Sequence, residues 1–309
     1  MKMKSATKSS EQSEKPVWFI TGCSTGFGRQ IAKHVLELGY RVVVTSRDPK
    51  DIRDLADFGD ALVLKLDVTD RTQAEQAIKA AEERYGGIDV LVNNAGIGYF
   101  AAIEESDEDE VKKMFDVNVF GLSRMIHVVL PGMRKRKKGF IVNLSSIAGL
   151  RSFPALGYYN ATKFAVEGLS EALWQEVEPL GINVMLVEPS GFRTDWAGRS
   201  ANETKHQIAD YAETADKNIH QLRAISGHQD GDPIRAAEAI VQAVESPSPP
   251  HRLLLGNDSY DGAMAKLDEL REEFTAWEDV SRGADFPEAT HPPTLDKAAE
   301  ILIAKTEAK

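Results

Sequence analysis

Cysteine is almost missing from this chain. Cys23 is the single one in 309 residues, which excludes an internal disulfide and fits a reducing compartment. A cytoplasmic location is the matching expectation. Long hydrophobic runs are missing too. No stretch approaches the roughly 18 apolar residues that a membrane-crossing helix needs, so no membrane span is expected. The opening residues MKMKSATKSSEQSEKP contain no apolar block of the kind a secretory leader carries, and residues 1–15 read as a disordered tail. Positive charge is outnumbered. Lys and Arg number 37 against 48 Asp and Glu, and the net charge of −11 argues against a general nucleic-acid binder. What is present, 42% hydrophobic and 28% charged residues, suits a soluble globular protein of one large or two ordinary domains.

Short apolar runs at residues 17–20, 41–45, 61–66, 88–92, 140–144, 182–187 and 253–255 read as strands. Between them lie stretches with helical spacing. Phe27, Ile31, Val35 and Leu38 lie on one helical stripe, closed by Gly39, and residues 69–85 form a second helix closed by Gly86 and Gly87. A solvated helix start, EESDEDEVKK, opens a long helical stretch running to Arg134, and the basic run RKRKK suits its end. Further helices are expected from Tyr159 to about Pro179, over 232–245 with Pro233 in the first turn, over 260–277, and over 295–304 in the extension 282–309. Continuous apolar strands alternating with amphipathic helices indicate an α/β fold: a parallel sheet covered on both faces by helices. One catalytic domain over 16–281 is expected, with 192–230 as a helical lid.

The turn TGCSTGFG links the first strand to the first helix. Gly22, Gly26 and Gly28 let the backbone approach a pyrophosphate at a helix N-terminus, with Ser24, Thr25 and Phe27 filling the rest of the loop. At the end of the second strand stand Thr45, Ser46, Arg47 and Asp48. An acidic residue there suits the ribose of NAD, and an arginine suits the 2′-phosphate of NADP. Ser46 and Arg47 favour NADP(H), with NAD(H) open through Asp48. Asp67 and Val68 follow the third strand, either at the adenine edge or as a turn. Asn94, Ala95 and Gly96 of NNAG follow the fourth, at the carboxyl end where open sheets place ligands. Asn118, in DVNVFG, is an odd choice for a helix interior; local bending and a functional side chain are the two explanations.

The fifth strand runs into Ser145 and Ser146, and a helix beyond carries Tyr159 and Lys163. Four residues rise about 6 Å, so both side chains lie on one face. Tyrosine ordinarily titrates near pH 10, and a fixed ammonium nearby favours its ionised form, which makes the phenol a usable acid. For the four letters YxxxK alone, chance is the better explanation.

Taken together, TGCSTGFG, NNAG, DVNVFG, NLSS, YNATK and EPSGFRT, in that order, resemble the short-chain dehydrogenase/reductase family over residues 16–200. The resemblance implies a single-domain Rossmann-like three-layer αβα sandwich with a mostly seven-stranded parallel sheet. It implies metal-free NAD(P)-dependent interconversion of a carbonyl and an alcohol. Carried over by position, Tyr159 is the general acid/base, and Lys163 lowers its pKa and holds the ribose. The family's usual gap of thirteen residues selects Ser146 for the substrate oxygen, Asn118 holds a relay water, and Asn94 and Gly96 line the cofactor cleft. Thr194 contacts the nicotinamide amide beside Pro189 and Gly191, where the usual Pro–Gly is Pro189–Ser190–Gly191. Thr25 stands where NADP-using members often carry a basic residue, so the NADP preference rests on Arg47. A small carbonyl or alcohol is the expected partner, with Phe100, Phe153, Leu156 and Trp196 as pocket candidates, and a homodimer or homotetramer the expected assembly. A non-catalytic NADP-binding sensor or scaffold is a second reading, and an epimerase or dehydratase a third. The intact set of Asn118, Ser146, Tyr159 and Lys163 argues against the second, and the glycine spacing and short C-terminal part against the third.

Overall fold

The computed structural model describes residues 15–286, so most of the tail expected at 1–15 and the helix expected over 295–304 lie outside the described residues. Seven parallel strands form the main sheet: β1 (Val17–Ile20), β2 (Arg41–Ser46), β3 (Ala61–Lys65), β4 (Val90–Asn93), β6 (Gly139–Leu144), β7 (Ile182–Pro189) and β9 (Arg252–Leu255). Their order is β3-β2-β1-β4-β6-β7-β9. Two short strands, β5 (Gly98–Phe100) and β8 (Ala201–Glu203), pair separately and in parallel.

The strands are apolar throughout because both faces of the sheet are covered. Side chains alternate between two cores. Trp18, Ile20, Val42, Val44, Val142 and Val187 pack with Ile31 and Val35 of α1 (Gly26–Glu37) and Ile240 and Val241 of α7 (Pro233–Val244). Val17, Phe19, Val43, Leu91 and Ile141 face the other way. They meet Ile78 of α2 (Arg71–Tyr85), Met125 and Val129 of α4 (Leu122–Arg136), and Val166 and Leu173 of α5 (Gly157–Val177). The expected three-layer Rossmann-like architecture is therefore what the chain forms.

The helix ends follow their local chemistry. Asp70 accepts the Gln73 N–H and starts α2 two residues later than expected, because residue 69 belongs to the preceding turn. Gly39 and Gly86, with φ of +77° and +82°, end α1 and α2. The stretch expected as one long helix is broken into three. After α3 (Glu108–Phe115), residues Asp116–Gly121 widen into π geometry before α4 begins. Of the two explanations for Asn118, the local bending is observed. Its Oδ1 accepts the Ile97 N–H at 2.8 Å, its Nδ2 donates to the Ile97 carbonyl at 2.9 Å, and the widened turn aims it there. At Gly121 a Cβ would come within 2.7 Å of Val68.

The segment expected as a wholly helical lid also contains a strand. β8 adds to β5, and only then follow a 3₁₀ turn (Ala209–Tyr211), a π turn (Ala212–Asp216) and α6 (Lys217–Ala224). Three residues with two exposed side chains give no alternating pattern to read. Compact clustering divides the chain between Ala263 and Met264. The first unit holds the sheet and everything described below. The second contains the end of α8 (Asn257–Ala276) and α9 (Glu278–Arg282). Among the described residues no helix is long and apolar enough to cross a membrane.

Candidate active site

The strand order reverses between β1 and β4, where the sheet leaves a crevice beyond its carboxyl ends. The turn after β1 reaches this crevice with Gly22 at φ +71° and Gly26 at φ +58°, both disfavoured for residues with a Cβ. Gly28 has no room for one: it would lie 2.4 Å from both the Asn94 Nδ2 and the Gly22 carbonyl. Asn94 closes the turn from β4 by donating to the carbonyls of Thr21 and Gly22 at 2.9 and 3.0 Å. Thr21 answers with its hydroxyl, which accepts the N–H groups of Asn94 and Ala95. The N-cap Thr25 makes no side-chain cap and the first turn of α1 holds no acidic residue, so its N–H groups face the crevice uncompensated. A backbone cradle at a helix N-terminus, closed to any Cβ, fits the pyrophosphate of a dinucleotide.

Around the cradle the other expected residues are distributed as follows. Ser46 is buried and donates to the Asp48 carbonyl at 2.5 Å. Asp48 caps the following 3₁₀ helix by accepting the Lys50 N–H, while Arg47 is exposed and has no partner among the described residues. Asp67 accepts the Thr69 N–H and hydroxyl with one oxygen, and so behaves as a turn residue beside the buried Val68. A Cβ at Gly26 would lie 3.5 Å from Thr194, which places the loop after β7 against the glycine turn; Phe27 and Phe192 pack ring to ring at 5.1 Å. Gly191 is exposed, and its carbonyl accepts the Gly231 N–H. Gly96 lies next to Asn118, whose Oδ1 a Cβ there would meet at 3.4 Å.

The reactive group is built from β6, β7 and α5. Ser146 follows β6; its hydroxyl accepts the Ala148 N–H at 3.1 Å and reaches the Pro189 carbonyl at 3.4 Å. Tyr159 stands on the first turn of α5 and is 7% exposed. Burial pushes its phenol well above the usual tyrosine value, and a hydrogen bond with the Ser146 hydroxyl pulls the other way. Lys163 donates to the Leu144 carbonyl at 2.7 Å, and its Nζ sits 5.6 Å from the Tyr159 ring centroid. Burial brings Lys163 down to about 8, offset in part by Glu167. The lowering of Tyr159 expected from Lys163 is thus not what the protein's own groups produce. Desolvation outweighs every other influence on the phenol.

Asn118 and Thr162 tie this group to the cradle. Asn118 donates to the Thr162 hydroxyl at 3.2 Å, and Thr162 donates to the Tyr159 carbonyl. Of the pocket candidates, Trp196 packs on the Tyr159 ring at 4.8 Å and on Phe100 at 5.5 Å, and Phe153 and Leu156 belong to the same apolar cluster. Sequence reading missed Thr21, Thr162 and the acidic pair Glu167 and Glu188. Only Glu167 carried a signal, its spacing of four from Lys163. Among the described residues no cluster of three or more metal-ligating side chains occurs.

Known proteins show the family and the fold. A family model for short chain dehydrogenases matches residues 16–205. Oxidoreductase BOA17 of Botryotinia fuckeliana is 37% identical over 86% of this chain and 97% of its own length. The 3-ketodihydrosphingosine reductase of Bacteroides thetaiotaomicron is 39% identical over 77% of this chain and 86% of its own. A short-chain dehydrogenase structure from Streptomyces avermitilis superposes with a TM-score of 0.80 at 41% identity, covering 87% of this chain and all of that one. Two more distant structures hold different cofactors. One from Burkholderia phymatum was solved with NAD (25% identity, TM-score 0.72, covering 91% of this chain and 99% of that one). ElxO was solved with NADP (28% identity, TM-score 0.67, covering 80% and 99%).

Proposed function

The chain belongs to the short-chain dehydrogenase/reductase family, and from that premise we propose that it interconverts a carbonyl and an alcohol, with NADP(H) preferred over NAD(H). The observation that carries the reading is the buried pair of Tyr159 and Lys163, with the Lys163 Nζ 5.6 Å from the tyrosine ring centroid, tied through Thr162 and Asn118 to the loop after β4 that closes the glycine cradle. When bound, a nicotinamide dinucleotide supplies or accepts the hydride. Gly22, Ser24, Thr25, Gly26, Phe27 and Gly28 would hold its pyrophosphate, Ser46 and Arg47 its adenosine ribose, with Asp67 and Val68 at the adenine. Asn94, Ala95, Gly96, Pro189, Gly191 and Thr194 would line the nicotinamide side, with Lys163 at the ribose there.

In the reductive direction Tyr159 holds a proton at its phenol oxygen and gives it to the substrate oxygen as charge develops there. Ser146 stabilises the same oxygen with a hydrogen bond. The high pKa of the buried phenol keeps that proton in place at neutral pH. Asn118 keeps the loop after β4 and the Tyr159 turn in register. The apolar cluster of Trp196, Phe100 and Phe153 packed beside Tyr159 supports an apolar ketone as substrate, as does the ketone named for the Bacteroides relative. We place the enzyme in the cytoplasm as a homodimer or homotetramer. The test is a panel of apolar ketones and their alcohols followed at the nicotinamide absorbance, with both cofactors. Oxidation of NADPH in step with alcohol formation is expected; no turnover with any member and either cofactor overturns the reading.

A further inference from the structure

Behind the reactive group lies a buried cluster with no part in the mechanism above. Glu188, on β7, has no exposed side-chain surface, and its Oε2 has no partner. Glu167, on α5 four residues beyond Lys163, is 8% exposed at its side chain. A single guanidinium serves both: the Arg252 NH1 contacts Glu167 and lies 2.8 Å from the Glu188 Oε1. The Ser145 hydroxyl, adjacent in sequence to Ser146, is hydrogen-bonded to Glu167. Few other charges face the cluster. Lys163 approaches from α5, and the half-exposed Glu171 reaches the Arg252 NH2 at 3.1 Å. From α8 the uncharged Ser259 hydroxyl donates to the Glu188 carbonyl. His251, beside Arg252, is engaged elsewhere, stacked on Trp174 and paired with Glu178.

We propose that Glu167 is a positioning residue of this active site: it shares one proton with Glu188 beneath Arg252, and its carboxylate fixes Ser145 and the charge on Lys163. Two buried carboxylates held on one guanidinium nitrogen cannot both ionise cheaply, because its single positive charge compensates only one of them. The unpartnered Glu188 Oε2 is the free position for the proton. Burial and the neighbouring Glu167 hold Glu188 up at about 7 against 4.5 for a free side chain, consistent with that placement. The negative charge left on Glu167 raises the affinity of the buried Lys163 for its own proton. Through Ser145 the same carboxylate anchors the backbone that presents Ser146.

The proposal rests on the reductase reading, but its first test does not. A carboxyl whose pKa is raised by folding stabilises the protein below its unfolded value, and that contribution is lost as pH rises through the folded one. The melting temperature of the full chain is therefore expected to fall between pH 4.5 and about 7 through this pair. Glu188→Gln, which leaves one carboxylate on Arg252, is expected to reduce that slope by about half or more. An unchanged slope overturns the shared proton. The second test is the pH profile of kcat/KM with Glu167→Gln. Loss of the charge lowers the Lys163 pKa further, so the basic limb moves to lower pH by about one unit, and Glu167→Asp restores it. A limb that stays in place in folded Glu167→Gln overturns the positioning role. If no carbonyl is turned over at all, the proposed reaction fails while the melting series still decides on the shared proton. Should Glu167→Gln not fold, Glu188→Gln carries the test.

Discussion

In the proposed reaction Tyr159 meets a contradiction that only a structure displays. The family resemblance makes it the expected acid/base, yet burial moves its phenol away from usable acidity. The Ser146 hydroxyl is the protein's own counterweight, and it is also the group that would hold the substrate oxygen. Removing the phenol oxygen while keeping the ring retains the packing on Trp196 and removes the proton. Tyr159→Phe is expected to bind cofactor normally, as read by fluorescence titration, and to lose turnover by about a hundredfold or more. Near-normal turnover would take Tyr159 out of the reaction.

At the scale of elements, the two turns after β1 and β4 are one object. Asn94 and Ala95 donate four hydrogen bonds across them to Thr21 and Gly22, and Gly28 leaves no space for anything larger than hydrogen. Gly28→Ala would force the Asn94 amide and the Gly22 carbonyl apart. A stability loss of about 1–3 kcal/mol is expected by denaturant unfolding, with a larger relative loss in cofactor affinity. Equal loss in both would mean that the cradle is not the binding element. The turn was legible as a motif because its glycines are local. The interlock was not, because Asn94 lies some seventy residues away from Thr21 and Gly22. The same limit explains β5 and β8, which exist only through pairing across about a hundred residues.

At the scale of the whole molecule, folding places Lys163 where the sequence alone would not. Buried against the Leu144 carbonyl, it titrates at about 8, well below a free lysine at 10.5. A lysine lowered in this way adds stability above its unfolded value, and that contribution is lost as pH falls through its folded value. Melting temperature should therefore contain a component that rises from about pH 8 to 10.5, which Lys163→Met abolishes. Its persistence in Lys163→Met would assign the component to another group. This window is separate from that of Glu188, so the two buried charges are distinguishable in one pH series.

Ser146, Tyr159 and Lys163 were singled out only through the family resemblance, whereas the sequence by itself determined the seven main strands, the helices between them and the glycine-rich turn. These are set by local periodicity, turn chemistry and fixed spacing, all of which survive without contacts. The tertiary structure alone decided which way Asn94 and Asn118 point, that β8 joins β5, and that Glu167, Glu188 and Arg252 meet behind the tyrosine. It also decided that the tyrosine is raised rather than lowered. Each of these depends on burial and on partners brought together across the sheet, and neither desolvation nor a long-range partner leaves a mark in the spacing of residues.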